Sequence, residues 1–119
     1  MDKTTNFRDK PSNLSFLIID DNTHMLSIVR VLLHAFGAKY VYECEDASGA
    51  FQKFRSIKPD IVIVDYQMSP VNGVDFTRMA RRSEDSPNPY VPIILLTAHS
   101  RRQSVMAARG SLVGPIGEE

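Results

Sequence analysis

The stretch from Ile61 to Pro70, IVIVDYQMSP, decides the fold. Its first four residues are apolar and β-branched, and the run is too short to be a buried helix. It therefore predicts a strand that is covered on both faces, as in a parallel sheet. Asp65 stands where this strand ends, and the serine and proline that follow predict a loop. The carboxylate is thus expected at the edge of the sheet.

Other segments of the chain alternate in the same way. The predicted strands are LSFLIID (14–20), KYVYECE (39–45), DIVIVD (60–65) and IILLT (93–97). Apolar residues at helical spacing predict helices over residues 23–36, 47–57, 74–83 and 100–110. Because strands alternate with helices, we expect an α/β protein with a doubly wound parallel sheet and helices on both faces.

The composition is that of an ordinary globular domain. The chain has 119 residues, of which 43% are apolar, and its 14 basic residues balance its 14 acidic ones. This balance argues against direct nucleic-acid binding. A single cysteine, Cys44, suits a reducing compartment, and the sequence contains neither a signal peptide nor an apolar run of membrane length. We expect a cytoplasmic protein without membrane contact, with a flexible leader over residues 1–13 and one domain over residues 14–119.

Polar side chains end three of the predicted strands. Asp20 and Asp21 end the first, Asp65 ends the third and Thr97 ends the fourth. The carboxyl ends of parallel strands lie at one edge of a sheet, where ligands bind. Each residue has a simpler explanation, since Asp21 could cap the next helix and Thr97 could be a strand residue at a turn. Their convergence nevertheless favours a functional site.

Three neighbouring carboxylates repel one another. Either some bind protons, through raised pKa values, or a cation offsets their charge. Mg²⁺ suits such oxygen ligands and often accompanies phosphate, whereas zinc is not expected because no His or Cys ends these strands. An aspartate beside Mg²⁺ can attack phosphorus and form an aspartyl phosphate.

Three stretches together resemble the receiver domain of two-component response regulators: FLIIDDN (16–22), IVIVDYQMSPVNG (61–73) and IILLTA (93–98). The resemblance runs from about Leu14 to about Arg109. It implies a flavodoxin-like fold and a signalling domain rather than an enzyme. A sensor histidine kinase or phosphotransfer protein would load the domain in a phosphorelay, and a downstream protein would be its target.

The resemblance also implies a role for each residue of the site. Asp65 would be the phosphoacceptor and Thr97 the switch hydroxyl. The ligands of Mg²⁺ would be Asp21, Asp65 and the backbone carbonyl of Gln67, with Asp20 contributing through water.

The sequence departs from the family pattern in two places. Ser69 follows Met68 where the family has proline, although Gly73 keeps its distance from Asp65. No lysine follows Lys58, and Gly114-Pro115 stands where the family has a lysine and proline on strand five. Strand five and helix five are therefore predicted to be shortened or missing. The apolar face left uncovered needs a cover, which could be a partner chain, a swapped segment or a missing downstream region, and it makes a homo-oligomer possible.

Two alternatives stay open at this stage. One is a receiver-like interaction module that does not switch. The other is a phosphohydrolase of the dehalogenase type, which would need a second aspartate where Gln67 stands. Among the remaining polar residues, His24 is expected to be a simple helix-start residue, with an approach to the site as the alternative. His99 is expected to be exposed, with a role in access to the site as its alternative. Three arginines of the third helix, Arg78, Arg81 and Arg82, form a basic patch that is either solvated or a partner contact.

Overall fold

The protein is described here by a computed structural model that covers residues 10–97. The strands are β1 (Ser15–Ile19), β2 (Tyr40–Cys44), β3 (Ile61–Asp65) and β4 (Ile93–Leu96). The helices are α1 (Thr23–Ala35), α2 (Ala50–Ile57) and α3 (Gly73–Arg82), and 3₁₀ turns lie at Pro11–Asn13 and Ala47–Gly49. The helix predicted over residues 100–110 and the shortened strand predicted after it lie outside the described residues.

All four strands are parallel, in the order β2-β1-β3-β4. Ile18 lies at the centre of the register, opposite Glu43 on one side and Ile63 on the other. The chain leaves β1 in one direction to form β2 and continues from β3 in the other direction to form β4. The prediction of a doubly wound parallel sheet is therefore confirmed. Ligand sites in such sheets lie where this direction changes, between the carboxyl ends of β1 and β3.

The larger apolar cluster lies between the sheet and helices α2 and α3. Strands β1 and β3 contribute Leu17, Ile19, Val62 and Val64 to it, all fully buried. Phe54 of α2 and Phe76 of α3 meet there with their ring centroids 5.6 Å apart and their planes 72° apart. This edge-to-face geometry is favourable for aromatic pairs and joins the two helices.

The opposite face of the sheet carries α1 and a smaller cluster. Phe16 and Ile63 from the sheet form this cluster with Ala38, and Val29 and Leu33 of α1 pack against it. The polar flank of α1 faces the edge strand β2. Arg30 forms an ion pair there with Glu43, and the Nδ1 atom of His34 lies 2.8 Å from the carbonyl oxygen of Ala38.

Half of the apolar stripe predicted on α1 is exposed. The stripe includes Ile28, Leu32 and Phe36, and these side chains are 41%, 53% and 75% exposed. Helical spacing identifies an apolar stripe but does not show how much of it is covered. On β4, Ile94 points to the same face of the sheet and is 50% exposed. The face beside strand five and helix five involves residues outside the described part, so its predicted exposure stays a prediction.

Side-chain caps fix where the helices begin. Asn22 caps α1, because its side-chain oxygen accepts from the backbone N–H groups of His24 and Met25 at 2.9 and 3.2 Å. Asn72 caps α3 in a reciprocal capping box with Asp75. The prediction of one helix over residues 47–57 needs a correction. The first turn is 3₁₀, after a cap by Asp46, and α2 proper begins at Ala50.

The predicted leader, residues 1–13, is only partly described by the structure. Residues 11–13 form a 3₁₀ turn in which the N–H of Asn13 donates to the carbonyl of Lys10 at 2.9 Å. Residues 1–9 lie outside the described part, and the domain limits stay a prediction. The longest described helix, α1, has 13 residues, and no helix within residues 10–97 has the length and apolar character to cross a membrane.

Candidate acidic site

The structure brings together the three predicted carboxylates at the carboxyl edge of the sheet. One carboxylate oxygen from each of Asp20, Asp21 and Asp65 lies within 4.8 Å of the other two. Asp20 is only 3% exposed, Asp65 is half-buried and Asp21 is exposed. The site therefore has a buried wall and one side that is open to solvent.

The backbone around Asp20 holds its carboxylate in place. The N–H of Asp20 donates to the carbonyl of Cys44 at 3.0 Å, which extends the pairing of β1 with β2 by one residue. The Oδ1 atom of Asp20 accepts from the N–H of Asn22 at 2.9 Å. Since Asn22 rather than Asp21 caps α1, Asp21 is not needed as the cap, and the simpler explanation of its presence fails.

Burial and repulsion change the protonation of this site. Burial raises the pKa of Asp20, the N–H of Asn22 lowers it, and the charge of Asp21 raises it further. The pKa of Asp65 rises from 3.8 to about 6, mainly by burial and then by the charges of Asp20 and Asp21. The backbone amides of Gln67 and Tyr66 oppose this rise. Asp65 is therefore more basic than an ordinary aspartate and is still ionised at neutral pH.

The loop after Asp65 is closed by a tight approach of Gly73. The N–H of Gly73 donates to the carbonyl of Tyr66 at 3.1 Å, and the N–H of Tyr66 donates to Leu96 of β4 at 2.8 Å. A Cβ atom on Gly73 would lie 2.6 Å from the carbonyl oxygen of Asp65 and 2.8 Å from Leu95. Only glycine permits this approach, so Gly73 ties the start of α3 to the end of β3.

A cleft of about 450 Å³ opens beside the acidic edge. Its lining consists of Asp21, Tyr66, Gln67, Met68, Ser69 and Asn72. The side chain of Gln67 is exposed, beside Asp21. Of these lining residues, sequence reasoning placed only Asp21 and Gln67 at the site. The loop composition gave a signal for Ser69 and Asn72, because short polar residues after a strand-end aspartate often line a site at this edge, but it gave none for Tyr66 and Met68.

Thr97 directly follows β4, whose last residue, Leu96, pairs with Asp65. Its predicted place at the same edge of the sheet is therefore consistent with the register, and its side chain is exposed. His24 is exposed at the start of α1, and its backbone N–H donates to the side-chain oxygen of Asn22. His99 and Gly114-Pro115 lie outside the described residues.

The donor set suits a hard divalent cation. The carboxylates of Asp20, Asp21 and Asp65 offer oxygen atoms within one ligand sphere, and no other His, Cys, Asp or Glu cluster of this kind occurs within residues 10–97. Oxygen ligands, a high local negative charge and an open side for water are features that Mg²⁺ sites share.

The fold and the acidic edge define the class of protein. A family model described as "Response regulator receiver domain" matches residues 16–111, which is most of the chain. The chain belongs to this family. Receiver domains are signalling domains and not enzymes, so the alternative of a dehalogenase-type phosphohydrolase is not supported.

Individual relatives agree with this assignment. The chain is 28% identical to chemotaxis protein CheY-3 of Vibrio cholerae over 96 residues, which cover 81% of this chain and 72% of the relative. It is 27% identical to chemotaxis protein CheY of Pseudomonas aeruginosa over 95 residues, covering 80% and 75% of the two chains.

Solved structures show the same fold. The structure of Vibrio cholerae chemotaxis protein CheY4 matches with a TM-score of 0.65 at 22% identity, covering 82% of this chain and 78% of that one. The N-terminal domain of a response regulator receiver protein from Methanoculleus marisnigri matches with a TM-score of 0.66 at 18% identity, covering 85% and 80%. The flavodoxin-like fold is therefore shown.

Proposed function

We propose that this domain accepts a phosphoryl group on Asp65 from a histidine kinase or a phosphotransfer protein, and signals through contact with a downstream protein. The observation that carries the proposal is the position of Asp65. Its carboxylate ends a core strand, is half-buried, and lies beside two other carboxylates at the edge of the sheet. Among a family of signalling domains, this is the group best placed for acyl phosphate formation.

The transfer step uses Asp65 as a nucleophile. A carboxylate oxygen of Asp65 attacks the phosphorus of the phosphohistidine donor, an O–P bond forms, and the N–P bond breaks. The imidazole nitrogen of the donor keeps the electron pair of the broken bond. Without a bound cation the pKa of Asp65 is about 6, so this oxygen is ionised at neutral pH and available for the attack.

The same site is proposed to hold Mg²⁺. Asp21, Asp65 and the backbone carbonyl of Gln67 would be direct ligands, and Asp20 would act through water. The ion supplies positive charge that offsets the charge of the phosphoryl group. Thr97 is proposed to donate its hydroxyl to a phosphoryl oxygen after transfer, as the switch residue.

A receiver that is loaded but does not switch is the second candidate. The observation that favours it is Gly114-Pro115, which is the best match for the lysine and proline of the family's strand five and offers no ammonium group. A lysine ammonium on the phosphoryl group would make a charge-assisted hydrogen bond worth about 1.5–3 kcal/mol. Without this contact, the phosphoryl group has less means of pulling the surrounding loops into a second arrangement.

Phosphodonor labelling tests the first proposal. The protein is incubated with Mg²⁺ and acetyl phosphate and its intact mass is measured. We expect one added phosphate on the wild-type chain and on Asp85→Ala, a control at an exposed aspartate, and none on Asp65→Ala. Uptake by Asp65→Ala, or no uptake by the wild-type chain, would show that the assignment is wrong.

Size-exclusion chromatography and amide NMR spectra of the phosphorylated protein distinguish the two candidate functions. A switching receiver changes its oligomeric state, or shifts amide signals beyond the acidic site, only when it is phosphorylated. Thr97→Ala should suppress that change without preventing uptake. Spectra that change only around Asp65 favour the receiver that does not switch.

A further inference from the structure

Helix α3 carries an apolar groove beside the loop that precedes the helix. The groove has a volume of about 470 Å³ and is lined by Val71, Asp75, Arg78, Met79, Arg82 and Ser83. We call it the α3 groove. A second cavity, of about 250 Å³, lies on the side of Leu95 and is also lined by Val74 and Thr77. Arg78 and Arg82 line both cavities and so lie between them, whereas Val71 and Met79 line the groove and not the second cavity.

Met79 shows that this flank of α3 is not part of the core. The sequence places Met79 on the apolar face of the helix, but its side chain is 38% exposed, whereas Phe76 and Ala80 are fully buried. A single exposed methionine is ordinary. Met79 differs because it lies in a concave surface, where its flexible thioether chain can adapt to an apolar side chain of a ligand.

Two guanidinium groups at this groove lack strong partners. Arg78 is 57% exposed and reaches Asp75 at only 3.7 Å, and Arg82 makes no ion pair within residues 10–97. These residues are four apart on one side of the helix, where like charges repel. Arg81 behaves differently, because it donates to the carbonyls of Pro89 and Val91 at 2.9 and 2.7 Å and holds the loop before β4.

The macrodipole of α3 explains only part of this arrangement. Cations are favourable in the last turn of a helix, and Arg81 and Arg82 lie there. Arg78 lies one turn earlier and gains little from the dipole. A pair of exposed guanidinium groups beside an apolar groove is better matched by carboxylates, which arginine binds through two parallel hydrogen bonds.

We propose that the α3 groove binds an acidic segment of a partner protein that presents an apolar side chain. The apolar side chain would lie against Met79 and Val71, and the flanking carboxylates would pair with Arg78 and Arg82. The groove also adjoins the acceptor loop. Val71 lines the groove, the next residue, Asn72, lines the cleft at the acidic site, and Gly73 lies so close to the carbonyl of Asp65 that an added Cβ would meet it at 2.6 Å. The proposal itself does not require phosphoryl transfer.

A labelled peptide of defined chemistry tests this proposal. The probe is a fluorescein-labelled peptide with two leucines between pairs of glutamates, and its anisotropy is measured with the full 119-residue chain. We expect saturable binding that weakens when salt is added. Arg78→Glu and Arg82→Glu should each weaken it at least about tenfold. Arg55→Glu, a reversal at an exposed arginine of α2 outside the groove, should change it less than about twofold.

Two further comparisons identify the chemistry that is recognised. A peptide with glutamines in place of the glutamates, and one with alanines in place of the leucines, should both bind at least about tenfold more weakly. Met79→Asp should weaken binding of the original peptide by a similar factor. Amide signals of residues 71–83 should shift on titration, and circular dichroism should show that each variant is folded.

The proposal is overturned if the peptide does not bind saturably, if Arg82→Glu binds it as the wild-type chain does, or if the glutamine peptide binds equally well. It is also overturned if the wild-type chain self-associates and Arg82→Glu abolishes this, since the occupant is then a second copy. Asp65→Ala should bind the peptide normally. Loss of phosphate uptake in that variant therefore leaves this test unaffected.

Discussion

The apolar cluster under α2 and α3 and the acidic edge of the same sheet affect stability in opposite directions. In the cluster, the fully buried rings of Phe54 and Phe76 remove apolar surface from water and stabilise the fold. At the edge, burial and repulsion act against the ionised form of Asp65. The comparison shows that one strand, β3, contains both stabilising and destabilising residues. Its buried apolar residues stabilise the domain, whereas its last residue, Asp65, lowers stability at the position where a reactive carboxylate is needed.

The largest effect is expected in the cluster. Phe54→Ala should lower the free energy of unfolding by about 3–5 kcal/mol, because it leaves a cavity where Phe54 met Phe51 and Phe76. Urea denaturation measures this loss. Phe54→Leu should lose less, and it provides the measurement if the alanine variant does not fold. Tyr90→Ala, at a side chain that is 88% exposed, is the control and should stay within about 0.5 kcal/mol of the wild-type chain. A loss in the control equal to that of Phe54→Ala would contradict the assigned core.

The next effect is expected at the junction of the two regions. Gly73→Ala should destabilise the domain by about 1–3 kcal/mol, since the added Cβ would force the backbone of Asp65 or the side chain of Leu95 to move. Phosphate uptake should slow in the same variant because the acceptor loop is displaced. Intact mass against time and urea denaturation measure the two effects.

Gly49→Ala is the matched control for that prediction. Its Cβ would meet only the Asp46 side chain, at 3.3 Å, and this side chain can shift. We expect a cost below about 1 kcal/mol and normal uptake. If Gly73→Ala were also normal in both measurements, the close approach of Gly73 to Asp65 would contribute neither to stability nor to phosphate uptake.

A smaller effect of opposite sign is expected at the edge. In buffer without divalent cations, Asp65→Asn should stabilise the domain by about 1 kcal/mol at pH 7, after allowance for screening by water, because it removes an ionised group from a repulsive site. Thermal unfolding measures the gain. Asp85→Asn, at an exposed aspartate, should leave the melting temperature unchanged. A loss of stability in Asp65→Asn would mean that the carboxylate is favourably bound in the fold and that the comparison fails.

The last and smallest expected effect is the change in the free energy of unfolding with pH that the Asp65 carboxylate causes. The pKa of Asp65 is about 6 in the folded domain and near its ordinary value of 3.8 when unfolded, so the folded state binds more protons between these values. Lowering the pH from 6 towards 4 should therefore add stability, and raising it through 6 should remove it. The difference between the wild-type chain and Asp65→Asn isolates this group and should shrink by about 1 kcal/mol as the pH falls. A difference that stays constant over this range would show that the pKa is not raised.

Much of the fold was accessible from the sequence because buried parallel strands have an unambiguous pattern. Continuous apolar runs predicted β1, β3 and β4, and the alternation with helices then placed Asp20, Asp21 and Asp65 at one edge. This part of the site followed from topology alone.

Other features depend on contacts that sequence patterns do not contain. Asp21, Asn22 and Thr23 are all good caps, and only the structure shows that Asn22 is used. Apolar spacing on a helix is the same whether the stripe is covered or open, so the exposure of Leu32 and Met79 was not predictable. The approach of Gly73 to Asp65 is a tertiary contact across the sheet edge, and it appears in the sequence only as a glycine in a loop.

The hydrogen bond from Asn22 to Asp20 also has a spectroscopic consequence. The N–H of Asn22 donates to the carboxylate of Asp20, and the side chain of Asn22 caps the first turn of α1. A proton or cation on Asp20 withdraws electron density from the acceptor oxygen, so the hydrogen bond weakens and the Asn22 amide proton becomes less deshielded. The amide resonance of this one residue is a built-in indicator for the charge state of the acidic edge. It needs no label beyond ¹⁵N.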